Sequence, residues 1–207
     1  MSILKISTAI KAPAFKKGTA FVIGVRESSK GIQLTNFSTD VASLAKHDLE
    51  QLGASTTIES TTRVAAPNGA IFTLVGLGTH KTAKVALDAA QVRAVGGAIA
   101  RSLKNVEEIV IDLGQLPKEQ TLALIEGLQL GNYEYSGLKS KENVKPILLA
   151  KATIISEHKF TAAEFTRVQI VAQAVISTRD LVNTPPNQMY PAAMAKAVQA
   201  GTKGLGL

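Results

Sequence analysis

The sequence predicts an α/β domain: a mixed sheet covered by helices on both faces. Three observations lead there. Short apolar runs rich in β-branched residues alternate with longer stretches of helical periodicity. Hydrophobic residues make up 45% of the 207, enough for a core, while charged residues at 19% are too few for a charge-solvated chain. Aromatics are 4% and Trp is absent, so that core must be packed from Ala, Val, Ile and Leu.

Ala20–Val25 is the first strand expected, on its β-branched and aromatic content. Thr39 and Asp40 offer caps for a helix whose Val41, Leu44, Ala45, Leu49 and Leu52 follow the 3.6 period, with Gly53 as its stop. A strand over Ala70–Val75 ends at Gly76-Leu77-Gly78, and an Ala-rich helix follows from about Thr82 to Leu103. Glu108–Leu113 reads as a strand, and Pro117 opens a helix through Leu128. Pro146–Ala150 with Ala152–Ile155 forms the last strand region. Thr161 and Glu164 then match a capping box for a helix reaching about Val182. Asn183-Thr184-Pro185-Pro186-Asn187 stops that helix, because two prolines hold the backbone extended. A short helix starts near Pro191 and ends about Ala200.

Several chemistries are excluded by what the chain lacks. Zero cysteine removes disulfides, thiolate metal sites and thiol nucleophiles, and fits a reducing cytoplasm. No basic segment followed by an apolar one marks the N-terminus as a signal peptide, and no apolar run is long enough to span a bilayer. Gly76-Leu77-Gly78 invites a dinucleotide reading, but Lys81 stands where the third glycine belongs. The turn is either a tight strand-to-helix connection or an anion site at a helix N-terminus, with Lys81 or Lys84 nearby. His47, His80 and His158 have no metal-ligand spacing. Glu107 and Glu108 point to opposite faces of a strand and make a poor acid–base pair. The G-x-S-x-G marker of a serine hydrolase is absent.

Net charge is +7, distributed in alternating blocks. The N-terminal block is the most basic: Lys5, Lys11, Lys16, Lys17, Arg26 and Lys30 face only Glu27. It is either a solvated surface or a weak, sequence-independent contact for nucleic acid phosphates. No stacking motif accompanies it.

The strongest local signal is Arg179-Asp180-Leu181-Val182-Asn183-Thr184-Pro185-Pro186-Asn187, followed by Tyr190-Pro191. A helix end with Arg179 near its carbonyls explains the stop but not the number of specific residues. This segment resembles the interdomain signature of the leucyl aminopeptidase (cytosol aminopeptidase) family. Val75–Gly78, Glu126-Gly127, Leu130-Gly131-Asn132-Tyr133 and Lys139-Ser140 resemble earlier markers of the same family. The resemblance implies an N-terminal macro-domain-like α/β unit over residues 1–160, a linker helix over 161–182, and the beginning of a truncated catalytic domain over 183–207. It implies a parent enzyme in the cytoplasm that releases N-terminal amino acids from peptides, uses two divalent ions (Mn, Zn or Mg), and forms a homohexamer. The family's Asn-Thr-Asp-Ala-Glu-Gly-Arg metal motif does not occur, so no residue here is assigned a catalytic, cofactor-binding or metal role. The fragment is expected to be inactive and architectural; the alternative is a nucleic-acid-binding module acting through the basic N-terminal block.

Overall fold

The computed structural model describes residues 4–65, 69, 71–79, 87–103, 105–135, 137 and 149–204. Seven strands form one mixed sheet: β1 Lys5–Ala9, β2 Thr19–Ser28, β3 Gly31–Thr35, β4 Thr61–Ala65, β5 Ile71–Thr79, β6 Glu108–Asp112 and β7 Lys151–Ile155. The order is β1-β7-β6-β2-β5-β4, with β3 paired to β2. β1, β7, β6, β2 and β5 run parallel; the β2–β3 hairpin and the β4–β5 pair are antiparallel. Among the described residues there are four helices: α1 Ala89–Ser102, α2 Lys118–Gly131, α3 Ala162–Asn183 and α4 Pro191–Thr202.

β2 is the spine of the sheet. Its first seven residues are all buried, as expected of a strand covered on both faces. Ala20 and Val22 meet the helix-side core with Val92, Val95, Ile99, Leu124 and Leu128. Phe21, Ile23 and Val25 meet the opposite core with Phe72, Leu74, Leu44 and Leu49. Phe15, from the connection before β2, stands edge-on to Phe21 at 4.6 Å and to Phe72 at 5.2 Å between ring centroids. Three of the chain's six phenylalanines therefore gather in one core.

That second core corrects one expectation. Residues 41–52 form a run of turns and not a helix. Asp40 and Asp48 are the physical reason. Asp40 Oδ1 accepts from Ala42 N at 2.9 Å, and Asp48 Oδ1 accepts from Glu50 N at 2.9 Å, each restarting the backbone locally. Leu44 and Leu49 keep the apolar role that their spacing suggested. Gly53, at φ 75, ends the last turn.

A second correction concerns Gly76-Leu77-Gly78. These residues lie inside β5, which runs on to Thr79. A side chain at Gly76 would collide with the carbonyls of Ser55 and Thr57. Its absence lets the 55–60 segment bond directly to the strand, through Gly76 N to Ser60 O at 3.0 Å and Gly78 N to Thr56 O at 2.7 Å. Three short strands, β1, β3 and β4, were not expected from the sequence; each is only five residues long and at most half-buried.

α1 and α2 pack backbone to backbone. A Cβ added at Gly127 would overlap the Arg93 carbonyl, and one at Gly131 would sit 2.5 Å from the Gly97 carbonyl. Arg93 Nε and Glu126 Oε1, 3.0 Å apart, pin the same contact. The capping boxes at Asp88/Gln91 and Thr161/Glu164 open α1 and α3. The predicted Ala-rich helix is seen from Ala89 onward; its expected start, with His80, Lys81, Lys84 and Val85, lies outside the described residues, as do Lys139, Ser140 and the expected strand residues 146–148.

α3 follows α2 along its full length, since Lys118 at the start of α2 meets Glu164 and Leu130 near its end meets Arg179. Its inner stripe is Val168, Ala172 and Ile176, spaced by four. The outer face leaves Ile170 at 64% and Val182 at 78% exposure. α4 buries no residue at all, and its Met194 and Val198 are open to solvent.

Candidate functional site

The residues singled out as possible chemistry are dispersed. His47 is exposed on a turn beside an open groove of about 650 Å³ between Lys30–Leu34 and Val41–Glu50. His158 places Nε2 3.0 Å from the Leu116 carbonyl and packs edge-on to Phe160. Glu108 pairs with Lys151 at 2.7 Å, while the Glu107 carbonyl accepts from Ala150 and Lys151 N–H groups. Among the described residues no three His, Cys, Asp or Glu side chains converge as a metal site. The basic block divides as well. Lys16 and Lys17 precede β2, whereas Lys30 follows it at the hairpin tip, about 30 Å away for a ten-residue strand at ~3.3 Å per residue.

What does converge is the signature at the end of α3. Tyr133, just beyond α2, donates its hydroxyl to Asp180 Oδ1 at 2.7 Å and accepts from Asn183 Nδ2 at 3.2 Å. Tyr135 donates to Thr184 Oγ1 at 3.3 Å, and Thr184 Oγ1 donates back to the Asp180 carbonyl at 2.6 Å. Arg179 lies over the Tyr133 ring with its guanidinium carbon 5.7 Å from the centroid, and its Nη1 donates to the Leu130 carbonyl at 3.0 Å. Arg179 was expected to serve the carbonyl end of its own helix. It serves the carbonyl end of α2 instead. Burial pushes the Tyr133 hydroxyl above its ordinary range; the Asp180 carboxylate adds to this and the Asn183 donor works against it.

The other end of α3 is held by an ion pair. Lys118 Nζ lies 2.6 Å from Glu164 Oε1, and 5.6 Å from the centroid of Phe160, which in turn packs on Phe165. The Lys118 ammonium, then the Thr161 N–H of the capping box, hold the Glu164 carboxyl down at about 2. A depressed carboxylate contributes stability that is complete above its usual 4.5 and disappears as pH falls through about 2. The start of α3 should therefore fray between those two values. Amide exchange at residues 162–166 followed by NMR checks this, and Glu164→Gln should flatten the dependence.

Asp112 is a third polar cluster, fully buried where β6 ends. Its carboxylate accepts from the backbone N–H groups of Phe37 at 2.7 Å, Ser38 at 2.9 Å, Thr39 at 2.8 Å and Gly114 at 3.2 Å. Both oxygens are thus saturated, and the group orders the 36–39 loop without offering a free acceptor to a substrate. Sequence reasoning found neither this cluster nor the tyrosine contacts. Three of the four partners of Asp112 stand over seventy residues away in the chain.

A mixed, largely parallel sheet flanked by helices defines the class: an α/β protein. A family model described as "Cytosol aminopeptidase family, N-terminal domain" matches residues 22–142. This chain belongs to the cytosol aminopeptidase family. A probable cytosol aminopeptidase of Corynebacterium glutamicum is 32% identical over 183 residues, covering 85% of this chain and 35% of that protein. One from Mycobacterium leprae is 32% identical over 164 residues, covering 77% and 30%. The chain thus spans about a third of the length of these relatives. The fold matches a solved tomato leucine aminopeptidase mutant with a TM-score of 0.71 at 19% identity, over 96% of this chain and 42% of that one. It matches the bottromycin maturation enzyme BotP at 0.65 and 22% identity, over 91% and 38%. Among the described residues no helix is long and apolar enough to cross a membrane.

Proposed function

We propose that this chain is the N-terminal part of a metal-dependent leucyl aminopeptidase of the cytoplasm, and that its own role is to mount the catalytic domain. The proposed division is an α/β body over 1–160, a strut over 161–182, and from 183 the opening of the catalytic domain. The observation that carries this reading is the use made of the signature. Arg179, Asp180, Asn183 and Thr184 spend their side chains on Leu130, Tyr133 and Tyr135. Residues so engaged tie the end of α3 to the end of α2 and so hold the chain in place. The exposed apolar side chains of α3 and α4 supply the surface that a catalytic domain, or other subunits of a homohexamer, would cover.

The described residues do not fit two catalytic metal ions, since their acidic and histidine side chains are scattered. Divalent ions are therefore assigned to the part of the parent beyond this chain. The names of the relatives, and a BotP structure solved in complex with Mn, support a metallo-hydrolase. Hydrolysis of a leucyl chromogenic amide with added Mn²⁺ or Zn²⁺ tests the reading. The longer protein should turn over and the 207-residue chain should not. Metal-dependent turnover by the purified short chain would overturn the division of labour.

The apolar face of α4 without a cover should also make the short chain vulnerable. Limited proteolysis should cut first near Asn187 or Gly201, both exposed, and leave residues up to about 183 intact on a gel.

A further inference from the structure

We infer that the outer edge of β3 is a docking site for an extended peptide, which adds to the sheet as one more strand. β3 pairs with β2 alone, and on its other side no strand lies among the described residues. Alternate residues of an antiparallel strand turn both backbone groups toward the same neighbour, so half of the N–H and C=O groups of β3 face that open side. A Cβ at Gly114 would lie 3.7 Å from that of Thr35, so the turn after β6 comes up against the strand there and leaves Gly31–Leu34 as the open stretch. Such a row of donors and acceptors has the spacing of a sheet ladder. An extended backbone matches it; a helix or a compact small molecule does not.

The groove of about 650 Å³ beside His47 follows this edge. Side chains of a strand alternate between its two faces, yet the consecutive residues Lys30 to Leu34 all line the one groove, so it runs along the flank of the strand. Its far wall, Val41 to Glu50, is set before any ligand arrives by Leu44 and Leu49 in the core and by the Asp40 and Asp48 turns. Ile32, Leu34 and Val41 give the groove half-buried apolar surface, while Asp48 and Glu50 outnumber Lys30 among its charges and favour a cationic peptide. Size selects a peptide over a second copy of the chain. Gly31–Leu34 measures only about 13 Å at ~3.3 Å per residue, and two such short edges paired together fall short of the ~1,200 Å² that a stable interface buries. A volume of about 650 Å³ suits a ligand of a few residues.

The test is an NMR titration of the isotope-labelled 207-residue chain with the end-capped peptide Lys-Val-Thr-Val-Lys. Saturable shifts should fall on the amides of residues 30–34 and 41–50. N-methylating the three central residues of the peptide keeps its side chains but removes its ladder donors, and should weaken binding about tenfold or more. Ala45→Trp, which fills the groove from an exposed position on its wall, should do the same. If that variant does not fold, the methylated peptide decides alone. Absence of shifts up to millimolar peptide, shifts confined to other surfaces, or equal affinity for the methylated peptide would each overturn the inference. So would shifts at residues 30–34 that depend on protein concentration without any peptide, since they would give the edge to a second copy. The outcome does not depend on the aminopeptidase reading.

Discussion

Asp112→Ala should be among the most damaging single substitutions in the chain. Four backbone N–H groups from two separate loops end on this one buried carboxylate. Removing it leaves them without an acceptor in a place where the side chain was fully shielded. At about 1–3 kcal/mol for each orphaned group that water fails to reach, the loss should be ~4 kcal/mol or more. That is a large share of the ~5–15 kcal/mol that holds an ordinary domain together. Asp112→Asn keeps the shape but turns one acceptor oxygen into a donor facing N–H groups, and should cost about half as much. Urea midpoints of the three proteins measure the series. A midpoint for Asp112→Ala within error of the parent would mean that the 36–39 loop does not depend on this carboxylate.

Gly127→Ala is the second large effect, and its sign separates two lines of reasoning. Helix propensity alone makes the change favourable by about 1 kcal/mol, because alanine loses less backbone freedom. Packing says the opposite. The new methyl would enter the space of the Arg93 carbonyl on α1, backbone that has no rotamer with which to yield. Helices forced apart at this point also lose contacts around Ile99, Leu124 and Leu128, so destabilisation of ~2–3 kcal/mol is expected. Gly201→Ala in α4 is the control. Nothing lies within 4 Å of its new methyl, and it should be neutral or gain a few tenths of a kcal/mol. Thermal melts of both variants give the comparison directly.

The parts of this fold that were legible in the sequence are those where one local signal suffices. β2, β6, α2, α3 and α4 follow from apolar runs, the prolines, and the Thr161–Glu164 capping box. The turns at 41–53 were misread because Asp40 and Asp48 compete with helical hydrogen bonds while the apolar spacing stays helical. β1, β3 and β4 are short edge or hairpin strands with mixed burial patterns; β1 is decided by a partner some 146 residues away, and β3 and β4 by their antiparallel neighbours β2 and β5.

The candidate site divides the same way. The Arg179–Asn187 segment was visible as an unusual string, and its resemblance to a family signature pointed to an interdomain position. What each side chain does there was not visible. Tyr133 and Asp180 are 47 residues apart, and nothing local to either predicts that a phenol from one helix end will meet a carboxylate on another. Glycines carry a similar lesson. Gly76 and Gly78 suggest a phosphate turn by pattern, yet they are the places where a neighbouring backbone lies against the strand.

The mounting role stands on α3 being fixed to the body at both ends, and a distance measurement tests this directly. The absence of cysteine makes site-specific labelling simple. Spin labels at Glu119→Cys near the start of α2 and Val182→Cys near the end of α3 occupy exposed positions. With ~1.5 Å of rise per helical residue, pulsed EPR should report one narrow distribution centred near 30 Å. Adding Tyr133→Phe should broaden it. A broad or two-peaked distribution in the parent chain would contradict a fixed strut, and with it the proposal that this signature mounts the rest of the protein.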